Sequence, residues 1–119
     1  MMRITMIYNQ FDIVVVPFPF VDSSTSKRRP AIVLSSNKHF NQEAKHSIMA
    51  MITSARNTPW PCDVPITNLS SAGLPKASVI RMKFFTIDHR LILDSLGKLS
   101  SKDQTALRKA IKSIFGELL

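Results

Sequence analysis

From Asp12 onward the apolar positions fall in short runs separated by polar stretches, and nothing before residue 101 sustains a helical period. Ile13 to Val16 is continuous and β-branched, which reads as a strand buried on both faces. Pro17 and Pro19 should end it or confine it to a sheet edge, because neither can donate to a ladder. Ser23 to Arg28 reads as a polar loop, Ala31 to Leu34 and Ile48 to Thr53 as two further strands, with polar Ser35 to Ser47 between them. Val64 to Thr67 is a weaker strand, and Ser70 to Pro75 has turn chemistry in which Gly73 is available for positive φ. Ser78 to Met82 alternates and runs into Phe84 to Ile87, a strand or a bent pair of strands, and Leu91 to Leu93 can add a short last one.

The period then changes. Leu107, Ala110, Ile111, Ile114 and Leu118 recur at three and four residues, with Lys102, Arg108, Lys109 and Lys112 mostly off that stripe, so residues 101–116 read as an amphipathic helix packing on the sheets. Ser100 is a good N-cap, Asp103 falls at N3 near a capping-box arrangement, and Gly116 can end the helix. The expected fold is mainly β with one C-terminal helix, a small barrel or sandwich. The chain of 119 residues is one domain, with residues 1–10 an N-terminal extension. At 45% apolar and 20% charged it can build a core, which argues against a disordered polycation.

Charge narrows the function. Lysine and arginine number 16 against 8 acidic residues, a net +8. Residues 27–45 hold Lys27, Arg28, Arg29, Lys38 and Lys45 against Glu43; residues 76–90 hold Lys76, Arg81, Lys83 and Arg90 against Asp88. Nearly all the excess lies in these two segments, and a concentrated excess implies an anionic partner, for which a nucleic-acid backbone is the natural choice. The longest apolar run, Ile13 to Val21, is far below the roughly 20 residues of a membrane span, and the N-terminus does not resemble a secretory signal. The expected location is the cytoplasm.

Several chemistries lack their residues. The lone Cys62 allows no internal disulfide and no cysteine-based zinc site, and the adjacent Asp63 opposes a thiolate nucleophile. His39, His46 and His89 show no metal-ligand spacing, and Gly73, Gly97 and Gly116 make no phosphate loop, so neither a metal nor a cofactor is expected. What remains is polar chemistry at strand ends. Arg29 precedes Pro30, which pushes its backbone toward an extended form at a strand entrance. Thr53 and Ser54 follow the apolar run Ile48 to Ile52; on spacing alone, two hydroxyls there are also ordinary turn chemistry.

At these residues the sequence resembles the MazF/PemK family of toxin endoribonucleases. Phe11-Asp12-Ile13-Val14-Val15-Val16 is similar to the family's opening Gly-Asp-Ile-Val strand, Lys27-Arg28-Arg29-Pro30-Ala31-Ile32-Val33-Leu34-Ser35 to its Arg-Pro signature, and Ala50-Met51-Ile52-Thr53-Ser54 to its strand ending in Thr-Ser. Thr86-Ile87-Asp88 and Leu96-Gly97-Lys98-Leu99-Ser100 resemble its C-terminal block, so the likeness runs in order from about residue 11 to 116. Two positions depart: the opening glycine is Phe11, and Phe85 stands where relatives often carry arginine.

The resemblance implies an SH3-like β-barrel of the MazF/PemK/CcdB type, a homodimer, and metal-independent, sequence-selective cleavage of single-stranded RNA by the ribose 2′-hydroxyl, leaving a 2′,3′-cyclic phosphate. Carried over by position, Arg29 is the principal catalytic residue, stabilising charge first and donating a proton second. Thr53 supports it, and Ser54 matches a neighbouring hydroxyl. Lys27, Arg28, Arg81 and Lys83 would bind RNA. The implied partners are an acidic antitoxin protein and, through the antitoxin complex, DNA. Asp88 is a base or a structural cap, the cap being favoured; Phe18, Phe20 and Trp60 could stack bases, with a core role favoured for both phenylalanines. Two other functions fit the residues: a non-enzymatic toxin of the gyrase-poisoning CcdB type, and a plain nucleic-acid-binding barrel.

Overall fold

The β-branched run becomes the middle of a strand in a strongly curled antiparallel sheet. The computed structural model describes residues 6–19 and 26–119. Its strands are β1 (Asp12–Phe18), β2 (Lys27–Val33), β3 (His46–Ser54), β4 (Val64–Pro65), β5 (Ser78–Asp88) and β6 (Asp94–Lys98), in the spatial order β4-β5-β3-β2-β1-β6. Helices α1 (Gln42–Ala44) and α2 (Leu69–Ala72) are short, and α3 (Ser101–Phe115) is the one long helix among the described residues. This is the half-barrel with a C-terminal helix that the resemblance implied.

Both faces of the sheet are covered, which is why β1 is apolar at every position from Ile13 to Val16. Ile13, Ile32, Ala50, Ile52 and Ile80 point to the α3 side and pack with Leu99 and Leu107. Val14, Val16, Ala31, Val33, Met49 and Ile87 point the other way and close over Tyr8. Tyr8, read as part of an extension, is thus built into the core, and its carbonyl accepts from the Asn41 side chain at 2.8 Å.

The strands differ from the sequence reading at several places, among them β4, which ends at Pro65 rather than Thr67. Lys27 and Arg28 lie in β2, not in a loop, paired with Phe18 and Pro17. Pro17 stays inside β1, at a point where β1 pairs with β2 and β6 has already ended at Val15↔Asp94. The last strand is Asp94–Lys98 rather than Leu91 to Leu93: Asp88 accepts from the Arg90 N–H and caps a tight turn over His89–Leu91, and the ladder to β1 starts only after it. The Ser70 to Pro75 turn is α2 and its exit, capped by Asn68 and by Gly73 at φ 71°. A side chain on Gly73 would collide with the Leu96 backbone, so α2 and β6 meet only because this residue is glycine. The Ser71 hydroxyl donates to the Lys98 carbonyl at 2.7 Å and ties the same contact.

Helix α3 begins as expected, with Ser100 accepting from the Asp103 N–H. Asp103 does more than cap. It is 1% exposed, and its carboxylate accepts from the Thr67 N–H (2.9 Å), the Thr67 hydroxyl (2.7 Å) and the Asn68 N–H (3.2 Å), fastening α3 to the segment between β4 and α2. Leu107, Ala110 and Ile111 pack on the core as the stripe predicted, but Ile114 and Leu118 stay exposed. The Phe11 position, a glycine in the family's opening pattern, has φ 73°, a left-handed conformation that glycine accepts without strain; here the ring packs against the α3-side core instead.

Candidate functional site

The site arises where two neighbouring strands stop pairing. The Leu34 N–H donates to Ile48 on β3, while the Val33 carbonyl accepts from Phe11 on the β1 side. Backbone groups alternate along a strand, so position 30, four before Leu34, also faces β3. It is a proline with no N–H to give, and β2–β3 pairing ends at Ala31↔Met51. Continued by two positions, that register sets Arg29 opposite Thr53. The strands instead separate, and β2 continues to Lys27 along β1 alone.

The opening is a cleft of about 310 Å³ lined by Phe18 and Arg29 from one side, Thr53 and Asn57 from another, and Arg81, Lys83 and Phe85 from β5. Strand β5 reaches it through an irregularity: Phe84 pairs with Ala50 and Arg81 with Met51, so Met82 and Lys83 are extra residues, of which Met82 packs on the core and Lys83 is exposed. Bulges of this kind re-aim side chains, and this one delivers Lys83 to the cleft.

Arg29 is exposed, and among the described residues neither it nor Lys27 nor Arg28 has an acidic partner within ion-pair range. Thr53 Oγ1 accepts a hydrogen bond from Asn57 Nδ2 at 2.6 Å. A hydroxyl has two acceptor lone pairs and one donor, so the Thr53 O–H stays available to donate into the cleft. Ser54 is not brought there. Alternation turns it to the opposite face, and its hydroxyl accepts from the Arg56 N–H at 3.2 Å in the turn after β3. Lys27 and Arg28 sit on the same strand as Arg29 but do not line the cleft.

Arg81 lines the cleft with its charge paired. Its guanidinium grips Asp63 through Nε (3.2 Å) and Nη2 (3.0 Å) and donates to the Thr58 carbonyl at 2.8 Å. Burial pushes the Asp63 carboxyl up, but the hydrogen bonds from Arg81 and the Trp60 N–H, with the Arg81 charge, outweigh it and hold the group below the usual carboxylate range. The hydrogen bonds it donates to Asp63 likewise raise Arg81 above its ordinary value. The result is a brace between β5 and the loop after β3.

Asp88 is remote from the cleft. It pairs with His46, and the seven residues of β3 from there to Thr53 span about 23 Å. Hydrogen bonds from the Arg90 side chain and backbone bring its carboxyl down to about 2, which is the cap reading and not a base poised near neutrality. Phe18, expected in the core, is 46% exposed on the cleft wall, since it lies beyond the last β6 and β3 pairings that would cover it. Phe20 and Ser23-Ser24-Thr25 lie outside the described residues. Asn57 went unread in the sequence and Asp63 was read only as the neighbour of Cys62, because their contacts depend on how the loop folds back. Among the described residues no group of three or more His, Cys, Asp or Glu could hold a metal ion, and no helix is long and apolar enough to cross a membrane.

Solved structures share this fold. MazF from Deinococcus radiodurans aligns over 94% of this chain and 99% of its own, with 20% identity and a TM-score of 0.72. An endoribonuclease in complex with its cognate antitoxin from a mycobacterial species aligns over 94% and 96%, with 13% identity and a TM-score of 0.71. The Mycobacterium tuberculosis toxin MazF-mt6 aligns over 87% and 95%, with 22% identity and a TM-score of 0.67. Comparison with curated proteins gives no match. Residues 9–115 match the family model of the PemK-like, MazF-like toxin of type II toxin–antitoxin systems. Nearly the whole chain falls within that match, cleft included, and the protein belongs to this toxin family.

Proposed function

We propose that this toxin is an endoribonuclease that cleaves single-stranded RNA in the cleft between β2 and β3. The observation that carries the reading is the meeting of Arg29 and Thr53 in one cationic cleft with Lys83 beside them. A guanidinium presents a planar fork of donors to two phosphate oxygens and keeps its charge at any working pH. The ribose 2′-oxygen attacks the adjacent phosphorus and the bond to the 5′-oxygen breaks. The 2′ proton passes to water and the departing 5′-oxygen takes one up, leaving a 2′,3′-cyclic phosphate and a 5′-hydroxyl. Arg29 stabilises the charge that accumulates on the phosphorane, and the Thr53 O–H donates to one of its oxygens. With a fixed cation supplying that charge, the reaction needs no metal ion.

Lys27 and Arg28, exposed on the strand that carries Arg29, hold flanking phosphates; Arg81 acts through its brace. The basic face also suits an acidic antitoxin, with DNA reached through that complex; one neighbour in fold is an endoribonuclease in complex with its cognate antitoxin. The active species is a homodimer in the cytoplasm.

The test is incubation of the purified protein with single-stranded RNA in EDTA. Cyclic-phosphate ends are expected, and Arg29→Ala should lower cleavage by on the order of 10²-fold or more with the fold intact. Cleavage by that variant at the wild-type rate removes Arg29 from the site. Intact RNA recovered from the wild-type incubation would point to the non-enzymatic toxin or the binding barrel.

A further inference from the structure

Between β3 and β4 the chain makes an excursion, Ala55 to Asp63, that carries the only tryptophan of the sequence, Trp60, between Pro59 and Pro61. The residue is 44% exposed and belongs to neither hydrophobic core. Its surroundings are cationic. Lys83 Nζ lies 4.8 Å from the ring centroid and Arg81 Cζ 5.9 Å, and both residues line the cleft that holds Arg29 and Thr53. The ring does not itself line the cleft but stands against two of the side chains that do.

Its position is fixed on several sides. The Trp60 N–H donates to Asp63 Oδ2 at 2.9 Å, and the Asp63 N–H donates back to the Trp60 carbonyl at 3.2 Å. Arg81 joins Asp63 to the Thr58 carbonyl, so one β5 side chain holds the excursion on both sides of Trp60. The two prolines restrict the backbone further. An exposed aromatic ring held in place has already lost the freedom that binding would otherwise cost it. With a lysine against its face, it suits a ligand that is flat and aromatic in one part and anionic in the next, which is the composition of a nucleotide.

We propose that Trp60 is a stacking platform for a base of the single-stranded RNA, one that lies beside the scissile phosphate, with Lys83 meeting the phosphate attached to that base. The inference rests on the ribonuclease reading for its substrate class and adds a contact to the base. Stacking tolerates any base, so this contact sets affinity and register along the strand more than sequence choice.

A single tryptophan makes the test direct. Strands of about 12 nucleotides of 2′-O-methyl oligo-A, oligo-U and oligo-C, and an abasic strand of the same length, are titrated into the wild-type protein while tryptophan emission is recorded. Anisotropy of a dye at the strand end reports binding in the same samples. Base-bearing strands should quench the emission, oligo-A most, and the abasic strand should bind without comparable quenching. Trp60→Ala should weaken binding of oligo-A about tenfold or more and leave the abasic strand unaffected, while Trp60→Phe keeps most of the affinity. Bound oligo-A with unchanged emission, or equal quenching by the abasic strand, overturns the proposal, and neither readout depends on a variant that folds. The 2′-O-methyl strands cannot be cut by their own 2′-oxygens. Quenching by these strands with no cleavage of ordinary RNA would sink the nuclease and keep the platform; cleavage of ordinary RNA with unquenched emission would do the reverse.

Discussion

In the proposed mechanism, the 2.6 Å hydrogen bond from Asn57 to Thr53 separates a residue that meets the phosphate from one that aims it. Thr53→Val keeps the shape and removes the donor, and loss of one donor to a charge that develops in the transition state costs about 3 kcal/mol, on the order of 10² in rate. Asn57→Ala leaves the donor but frees its rotor. A neutral hydrogen bond of this kind contributes about 1 kcal/mol, so the variant should cleave about fivefold more slowly. Because the amide acts through the hydroxyl, its effect should vanish once the hydroxyl is gone: the double variant should cleave at the rate of Thr53→Val alone, a coupling of about 1 kcal/mol. The assay is single-turnover cleavage of one defined RNA in EDTA at saturating protein, with KM measured separately. Asn57→Ala should lower kcat and leave KM in place. A further fivefold loss when Asn57→Ala is added to Thr53→Val would show that Asn57 meets the RNA itself, and Thr53→Val cleaving within twofold of wild type would remove Thr53 from the chemistry.

Two other expectations concern what holds the helices to the sheet. Asp103→Ala leaves the Thr67 and Asn68 N–H groups without their acceptor and should cost about 3 kcal/mol in urea unfolding at neutral pH. Burial pushes the Asp103 carboxyl up, but the hydrogen bonds it accepts outweigh that and hold it below its ordinary value, so its contribution is complete above about pH 4 and is lost as the pH falls through the lowered value. Asp103→Asn should therefore lose stability at pH 7 and show a flatter decline on acidification than wild type; an unchanged acid profile would mean that another group governs it. Gly73→Ala combines a left-handed backbone with a methyl pressed on the Leu96 backbone and should cost about 3 kcal/mol or more by the same measurement. A loss under 1 kcal/mol would show that α2 and β6 can separate freely.

Strong periodicity made β1, β3, β5 and α3 legible, because each buries an apolar face that the sequence must spell out. β6 was not legible: Asp94, Ser95 and Lys98 are exposed on a sheet edge, and their ladder to β1 depends on backbone pairing that leaves no apolar trace. Lys27 and Arg28 looked like loop for a related reason, since charge signals solvent and β2 has solvent on one side there. At the site, Arg29 and Thr53 were readable as strand-end residues and through the family likeness. Asn57 and Asp63 were not, because an excursion folds back by hydrogen bonds to particular backbone atoms and these have no period. The exposed setting of Phe18 was missed because composition cannot say where a sheet stops covering its own strand.

The cleft and its charge have a common origin in the placement of Pro30. A proline whose nitrogen faces β3 ends that ladder but leaves the opposite side of β2 able to pair with β1 as far as Lys27. The strand end is thus held rigidly with one edge unpaired, and the three cations there are in solvent, so nothing in the core depends on them. On the other side β3 runs on to Ser54 because β5 supports it, and this carries Thr53 past the point where β2 has let go. A gap bordered by two well-supported strands keeps its width without side-chain contacts across it. That separates function from stability: substitutions at Arg29 and Thr53 act on whatever enters the gap, while Pro30, where the β2–β3 ladder stops, and Asp63, which holds the Arg81 brace, act on the fold. A loss of activity at Arg29 can then be read as chemistry, provided the unfolding midpoint of the variant stays where the wild type has it.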